Sequence, residues 1–131
     1  MAFFMLDTDT VSFALRGVGA VATQLAKHKR SELCLSAITV AELRFGADKR
    51  RSRKIHRAIE AFLSGVGVLA FDGSAAERFG AIAAALAAAG EPIGQMDALI
   101  AGHALSVNAT LVTNNQRHFS KVKGLRLQNW A

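Results

Sequence analysis

Short apolar runs alternate along the chain with segments whose apolar residues recur at helical spacing. Residues 3–6 form an apolar run that meets residues 7–10, Asp-Thr-Asp-Thr, which are types that favour turns and helix N-caps. A second apolar run covers residues 33–38, and over residues 40–47 the apolar positions recur every three to four residues. Each run is therefore predicted to be a strand that leads directly into a helix.

The middle of the chain repeats this order. Amphipathic spacing predicts a helix over residues 55–63, and a third strand is predicted over residues 66–71, where Gly65 and Gly67 interrupt the helical pattern. Ser74-Ala75-Ala76-Glu77 has the spacing of a capping box. We expect it to open an alanine-rich helix that ends at Gly90.

The last third of the chain completes the predicted sheet. A helix is expected from about residue 96 to 107, followed by a fourth strand over residues 110–113 and an apolar alternation that ends at Trp130. Strands separated by helices imply a parallel sheet with both faces covered. The predicted fold is α/β, with three layers: a central, mostly parallel sheet of four to five strands and helices on both faces.

The composition agrees with one globular domain over residues 1–131, because 51% of the residues are hydrophobic and 20% are charged. Cys34 is the only cysteine, which excludes an intrachain disulfide and a cysteine-rich zinc site. The apolar start meets Asp7 too early to be the core of a signal peptide, and the alanine-rich residues 81–89 fall short of the ~18 to 20 apolar residues of a membrane span. We therefore expect a cytoplasmic protein without a membrane span.

The positive charge is concentrated in one part of the chain. The formal net charge is +6, and one run of basic residues contains a single acid, Asp48. Such a run is typical of a protein with a polyanionic partner, but it is also typical of a solvated helix face, so charge alone leaves both interpretations open. The residues of the run are Arg44, Lys49, Arg50, Arg51, Arg53, Lys54 and Arg57.

Several acids fall where the predicted strands end. Ligands of open α/β sheets collect outside the carboxyl ends of the strands. Asp7 follows the first strand, Glu42 lies in the helix after the second, and Asp97 begins the helix that feeds the fourth, with Asp9 and Asn115 nearby in the pattern. Carboxylates brought together repel one another unless a cation is present, and oxygen ligands suit hard ions such as Mg²⁺ or Mn²⁺. A divalent metal site at this edge is therefore predicted.

Each acid also has a purely structural interpretation. Glu42 stands three residues after Thr39, which is the spacing of a capping box. Asp7 or Asp9 could cap the first helix, and Asp97 could be present only to favour a helix dipole, an effect worth under ~1 kcal/mol. No acid is convincing singly, and the prediction depends on their shared edge.

The other residues of the helix over 96–107 are expected to be structural. His103 lies six residues beyond Asp97, about 240° around a helix, so it should face elsewhere. Met96, Leu99 and Ile100 are expected in the core. The four histidines are scattered and do not form a zinc-binding pair, so no histidine is assigned to the site.

Four segments of the chain resemble the signatures of one family. Residues 6–9, Leu-Asp-Thr-Asp, and residues 36–43, Ser-Ala-Ile-Thr-Val-Ala-Glu-Leu, resemble the first two signatures of VapC-type PIN domains. Residues 92–104 resemble the third signature, and residues 111–115, followed by Phe119, Gly124-Leu125 and Trp130, resemble the C-terminal one. The resemblance covers nearly the whole chain, in order and with the usual spacing.

The resemblance implies a PIN-like nuclease fold and a small RNA-cleaving toxin. It makes Asp7, Glu42 and Asp97 the catalytic and metal-binding set for Mg²⁺ or Mn²⁺. Asn115 stands where many members have a fourth Asp, and Asp9 stands where Asn is common, so the number of ions and the part played by these two residues stay open. The implied partners are tRNA or rRNA, a VapB-like antitoxin and a second copy of the chain.

The implied reaction is hydrolysis of an RNA phosphodiester by a water that the metal activates. Glu42 is expected to help hold the metal or to orient this water. Other residues are expected to position the phosphate or the waters, or to contact flanking phosphates. The first group comprises Thr8, Thr113, Asn114 and Asn115, and the second Arg50, Arg51, Arg53 and Lys54.

Three other functions fit parts of the pattern. Residues 6–11 also fit the motif of haloacid-dehalogenase-type phosphatases, with Asp7 as nucleophile and Asp9 as general acid, but that family needs later acids and the chain has none beyond Asp97. A receiver-like or RNA-binding module that cuts nothing is the second alternative, kept open by Asn115. The third is a PIN nuclease that works in RNA maturation.

Overall fold

The computed structural model describes residues 3–131, and within that range five short strands form one parallel sheet. The order across the sheet is β3-β2-β1-β4-β5, and every neighbouring pair is parallel. Met5 lies opposite Cys34 on one side and Leu111 on the other, so β1 is central. The strands are β1 (Phe4–Leu6), β2 (Leu33–Ser36), β3 (Gly67–Leu69), β4 (Thr110–Val112) and β5 (Leu127–Gln128).

Helices connect the strands and cover both faces of the sheet. In the described residues they are α1 (Thr8–Arg16), α2 (Val21–Ala26), α3 (Ala37–Lys49), α4 (Arg53–Leu63), α5 (Gly73–Ala88), α6 (Gln95–Ser106) and α7 (Gln116–Phe119), with a 3₁₀ turn at Arg30–Glu32. Parallel neighbours require such crossover connections. The predicted three-layer α/β fold is therefore confirmed.

The core consists of two clusters that the sheet separates. Phe4 and Leu6 of β1 pack into one cluster, with side chains of α1, α3 and α4, whereas Met5 packs into the other, with side chains of α5, α6 and α7. Successive side chains of a strand point to opposite faces, so one short strand supplies both clusters. All three β1 residues are buried, which explains why the run shows no polar alternation.

Among the predicted boundaries that differ from the structure, three concern the second strand, the alanine-rich helix and the third strand, and local capping explains two of these. The second strand ends at Ser36, two residues early, because the Ser36 hydroxyl accepts a hydrogen bond from the backbone N–H of Ile38 and begins α3. The alanine-rich helix is capped by Asp72, which accepts a hydrogen bond from the backbone N–H of Ala75 at 3.0 Å, and not by Ser74. The third strand covers Gly67–Leu69 only, since the chain leaves the sheet before this cap.

The contact between α5 and α6 is unusually close at Gly102. A Cβ at this position would lie 2.7 Å from the backbone nitrogen and 2.8 Å from the Cα of Phe79. Only glycine allows this approach, because real Cβ atoms do not come so near to backbone atoms. Gly102 thus determines how closely α6 packs against α5.

The first turn of α6 differs from the prediction. Met96 was expected in the core, but 49% of its surface is exposed, and the packed part of the helix begins at Ala98. Ile100 is buried as predicted, and Leu99 is half-buried. The prediction for Met96 was wrong because helical spacing identifies which face of a helix is turned inward. It does not show how far along the helix the neighbouring elements cover that face.

Candidate active site

Asp7 directly follows β1 at the carboxyl edge of the sheet. Its backbone N–H donates to the carbonyl oxygen of Val112 at 3.0 Å, and its Oδ1 accepts a hydrogen bond from the backbone N–H of Thr10 at 2.8 Å. Asp7 therefore does cap α1, as its structural interpretation holds. Burial raises the pKa of the Asp7 carboxyl, while hydrogen bonds from Thr113 and Thr10 act in the opposite direction. Asp7 is only 4% exposed, and an uncharged Ser or Asn would cap the helix equally well. Capping alone therefore does not explain a buried carboxylate at this position.

Glu42 lies on α3, and its side chain reaches the start of α1, which directly follows Asp7. The Thr8 hydroxyl donates to Glu42 Oε1 at 2.6 Å, which joins the start of α1 to α3. The capping-box interpretation of Glu42 was wrong, because Ser36, and not Thr39, caps α3. Burial is the largest cause that raises the pKa of Glu42, followed by the negative charges of other acids.

Asp97 lies in the first turn of α6. Its Oδ2 is 3.0 Å from Nε2 of His118, and that nitrogen also lies 2.7 Å from the carbonyl oxygen of Ile93. Burial raises the pKa of Asp97, His118 lowers it, and the charges of Asp7 and Asp9 raise it again. The side chain is thus held by His118 but remains in a strongly negative environment.

These acids share one electrostatic environment. The charge of Asp9, which is exposed in the first turn of α1, raises the pKa of Asp7, Glu42 and Asp97. Asp97 also raises the pKa of Glu42, and Asp7 raises that of Asp97. The topology therefore brings together carboxylates from three distant parts of the sequence: Asp7 with Asp9, Glu42, and Asp97.

The chemistry of this group fits a hard divalent cation. The donors are carboxylate oxygens, their pKa values are raised, and within residues 3–131 their ion pairs involve a histidine but no lysine or arginine. In the same residues no three His, Cys, Asp or Glu side chains are arranged closely enough to hold an ion as they stand. The donor set and the charge fit a metal, whereas the spacing of the side chains does not close a coordination sphere.

The predicted accessory residues surround this group to different degrees. Thr8 donates a hydrogen bond to Glu42. The buried Thr113 lies close enough to Asp7 to lower its pKa, and its Oγ1 accepts a hydrogen bond from the backbone N–H of Asn115 at 3.0 Å. Asn115 is exposed at the start of α7. Asn114 is exposed as well, and its Oδ1 accepts a hydrogen bond from Asn129 at 3.2 Å.

Two histidines differ in how well their roles could be predicted from the sequence. His118 was assigned no role, yet it contacts Asp97, and nothing in its local sequence indicates this contact. His103 is buried, with Nδ1 2.7 Å from the hydroxyl of Ser36, in keeping with the structural role predicted for it. Only the fold brings α7 against the start of α6 and so identifies His118.

The basic run lies at the turn between α3 and α4. Arg44 pairs with Glu60 and donates toward His56, whose other ring nitrogen is 2.7 Å from Asp48, so part of the run serves to join the two helices. The residues predicted to contact RNA are exposed. Arg50 caps the end of α3, about two helical turns or ~12 Å beyond Glu42, Arg51 lies in the turn, and Arg53 and Lys54 begin α4. Their role stays a prediction for Arg50, Arg51, Arg53 and Lys54.

The chain is similar to known proteins over its full length. The family model described as the PIN domain matches residues 4–125. The tRNA(fMet)-specific endonuclease VapC of Shigella flexneri is 39% identical over 132 residues, which cover 100% of both chains. Ribonuclease VapC2 of Haemophilus influenzae is 38% identical with the same coverage.

Solved structures show the same similarity in three dimensions. The chain matches DNA-bound VapBC from Salmonella typhimurium with a TM-score of 0.90 and 38% identity over 100% of both chains. It matches VapBC2 from Rickettsia felis, bound to a DNA fragment from its promoter, with a TM-score of 0.90 and 31% identity over 98% of this chain and 99% of that one. Separately, none of the helices in residues 3–131 is both long and apolar enough to cross a membrane.

Proposed function

Because the chain belongs to the PIN-domain family and is similar over its full length to VapC ribonucleases, we propose that it is an endoribonuclease toxin. It hydrolyses RNA phosphodiesters and is neutralised by a VapB-like antitoxin, as the similarity to VapBC complexes supports. The name of the Shigella relative favours tRNA as the substrate class. The homodimer implied by the sequence resemblance stays a prediction.

The observation that carries the catalytic proposal is the convergence of Asp7, Glu42 and Asp97 on one negative site. These three residues would hold Mg²⁺ or Mn²⁺. A bound divalent ion lowers the pKa of water and offsets the charge of the phosphoryl transition state. Burial is the largest cause of the raised pKa values, and the charges of the neighbouring acids raise them further. A bound cation would offset both effects.

The neighbours of the three acids have positioning roles. The Thr8 hydroxyl holds Oε1 of Glu42, which leaves Oε2 to accept a hydrogen bond from the attacking water. His118 holds Oδ2 of Asp97, and Asp7 is held by its own cap on α1 and by Thr113. Each of the three carboxylates is thus held by a neighbour, which limits how far it must move when the cation and the RNA bind.

A cleavage assay tests this proposal. Chain purified free of antitoxin should cut total tRNA in Mg²⁺, lose the activity in EDTA, and regain it when Mg²⁺ is restored. Asp97→Asn should be inactive, whereas Glu91→Gln, which removes an exposed acid just before α6, should cleave like the wild type. Cleavage that survives EDTA or Asp97→Asn would show that the metal mechanism is wrong. Growth arrest by an Asp7→Ala chain in cells would contradict the site assignment.

A further inference from the structure

Phe45 on α3 is exposed to an extent that the fold does not explain. It is 67% exposed, which is the highest value for a large apolar side chain in residues 3–131. A single exposed apolar residue is common and needs no explanation by itself. Two further observations set Phe45 apart. It lies close to Glu42 on α3, and its ring contacts Lys49.

Phe45 stands beside the proposed active site. Residues three apart on a helix are neighbours at its surface, so Phe45 adjoins Glu42. The rise between them is about 4.5 Å, which is of the order of the ~3.4 Å between successive nucleotides of a strand. For an RNA strand that runs along α3, a base that flanks a scissile phosphate held near Glu42 would therefore fall at the level of the Phe45 ring.

A cation lies against the same ring. Nζ of Lys49 is 5.9 Å from the centroid of Phe45. Glu42, Phe45 and Lys49 occupy an arc of about 60° on α3, and the exposed basic residues of the turn to α4 follow directly. One strip of the surface thus passes from a carboxylate through an aromatic ring to positive charges.

The composition of this strip favours single-stranded nucleic acid over a protein partner. Proteins that bind single strands combine aromatic side chains, on which bases stack, with positive charges that follow the backbone. A docking surface for a protein would need a wider apolar patch. Around Phe45 the exposed positions of α3 are the small Ala41 and the charged Asp48 and Lys49.

We propose that Phe45 and Lys49 form a stacking platform for an unpaired RNA base next to the scissile phosphate. The ring of Phe45 stacks on the base, and Lys49 contacts the adjoining phosphate. This inference rests on the proposed ribonuclease function and adds to it a specific requirement: the nucleotide on the α3 side of the cut must be unpaired.

Steady-state cleavage of a short single-stranded RNA oligonucleotide tests the platform. Stacking on an aromatic ring is worth about 1–3 kcal/mol per base, so Phe45→Ala should raise KM roughly 5- to 150-fold with little change in kcat. Phe45→Trp should retain the wild-type KM, and Phe45→Leu should resemble Phe45→Ala. Val68→Ala is the matched control, because Val68 is 43% exposed on β3, and should leave KM unchanged.

Oligonucleotides with one base removed identify the contact directly. At the nucleotide that stacks on Phe45, removing the base should weaken cleavage by the wild type by the same factor as Phe45→Ala, and Phe45→Ala should lose nothing further. If the two losses multiply at every position, or if Phe45→Ala cleaves like the wild type, the platform does not exist. Weakened binding of a VapB-like antitoxin peptide with unchanged RNA kinetics would assign Phe45 to a protein interface instead.

The outcomes separate this inference from the proposed function. If the wild type cleaves RNA and Phe45→Ala has the same KM, the platform is overturned but the proposed function is not. A wild type that cleaves no RNA overturns both. The urea midpoint of Phe45→Ala should equal that of the wild type because the side chain is exposed, so a KM effect cannot be attributed to misfolding.

Discussion

Replacing Gly102 by alanine should destabilise the protein at the contact between α5 and α6. The new Cβ would lie 2.7 and 2.8 Å from backbone atoms of Phe79 and 3.2 Å from the carbonyl carbon of Arg78. None of these atoms belongs to a flexible side chain, so the two helices must separate. Because Asp97 lies five residues earlier on α6, cleavage activity should fall as well.

The size of this effect follows from two opposing contributions. Overpacking a core typically costs 1–3 kcal/mol, and a clash with backbone belongs at the upper end, about 3 kcal/mol. Alanine gains about 1 kcal/mol over glycine in a helix interior. The expected net loss is about 2 kcal/mol in the free energy of unfolding, which corresponds to a Tm roughly 8 °C lower for a chain of this length.

Urea denaturation measures this loss, and Gly80→Ala provides the control. Gly80 lies on α5, and a Cβ there would have no atom within 4 Å, so the control should gain about 0.5–1 kcal/mol from helix propensity alone. If Gly102→Ala were as stable as the wild type, the close packing of α5 and α6 described above would be incorrect.

Three further predictions concern other parts of the fold. The pKa of Asp7 is raised in the folded protein, so ionisation of this carboxyl opposes folding at pH values above the usual aspartate range. Asp7→Asn should therefore raise the urea midpoint at neutral pH. This gain should disappear in acid, where Asp7 is protonated in both the folded and the unfolded state. Cys34 is buried and its pKa is raised to about 12, so a thiol reagent should modify it only as fast as the protein unfolds. Ser52→Ala removes the cap that accepts from Ile55 at 3.1 Å and should cost about 1 kcal/mol in a urea titration.

The three central strands could be predicted because they are almost entirely buried. Residues such as Phe4, Met5 and Leu6 form an uninterrupted apolar run, and the Asp-Thr-Asp-Thr segment after it marks the change from strand to helix. The edge at which the acids meet then follows from the parallel order. This is why the sequence alone predicts that Asp7 and Glu42 lie near each other.

Other features depend on contacts that the local sequence does not contain. Asp72 and Ser74 are equally suitable N-cap residues, and only the path of the chain after β3 selects Asp72. By its spacing Met96 lies on the inner face of α6, but the neighbouring elements within residues 3–131 do not bury it. His118 reaches Asp97 because α7 packs near the start of α6, which is a tertiary contact between residues 21 positions apart.

Calorimetric titration of the antitoxin-free chain with Mn²⁺ tests most directly whether the three acids form one metal site. The wild type should show saturable binding, and Asp7→Asn, Glu42→Gln and Asp97→Asn should each weaken it by at least about tenfold, since each removes a charged ligand from the same ion. Glu91→Gln should bind Mn²⁺ like the wild type. If any one of the three variants bound Mn²⁺ as tightly as the wild type, that residue would not be a ligand and the three-carboxylate site would be contradicted.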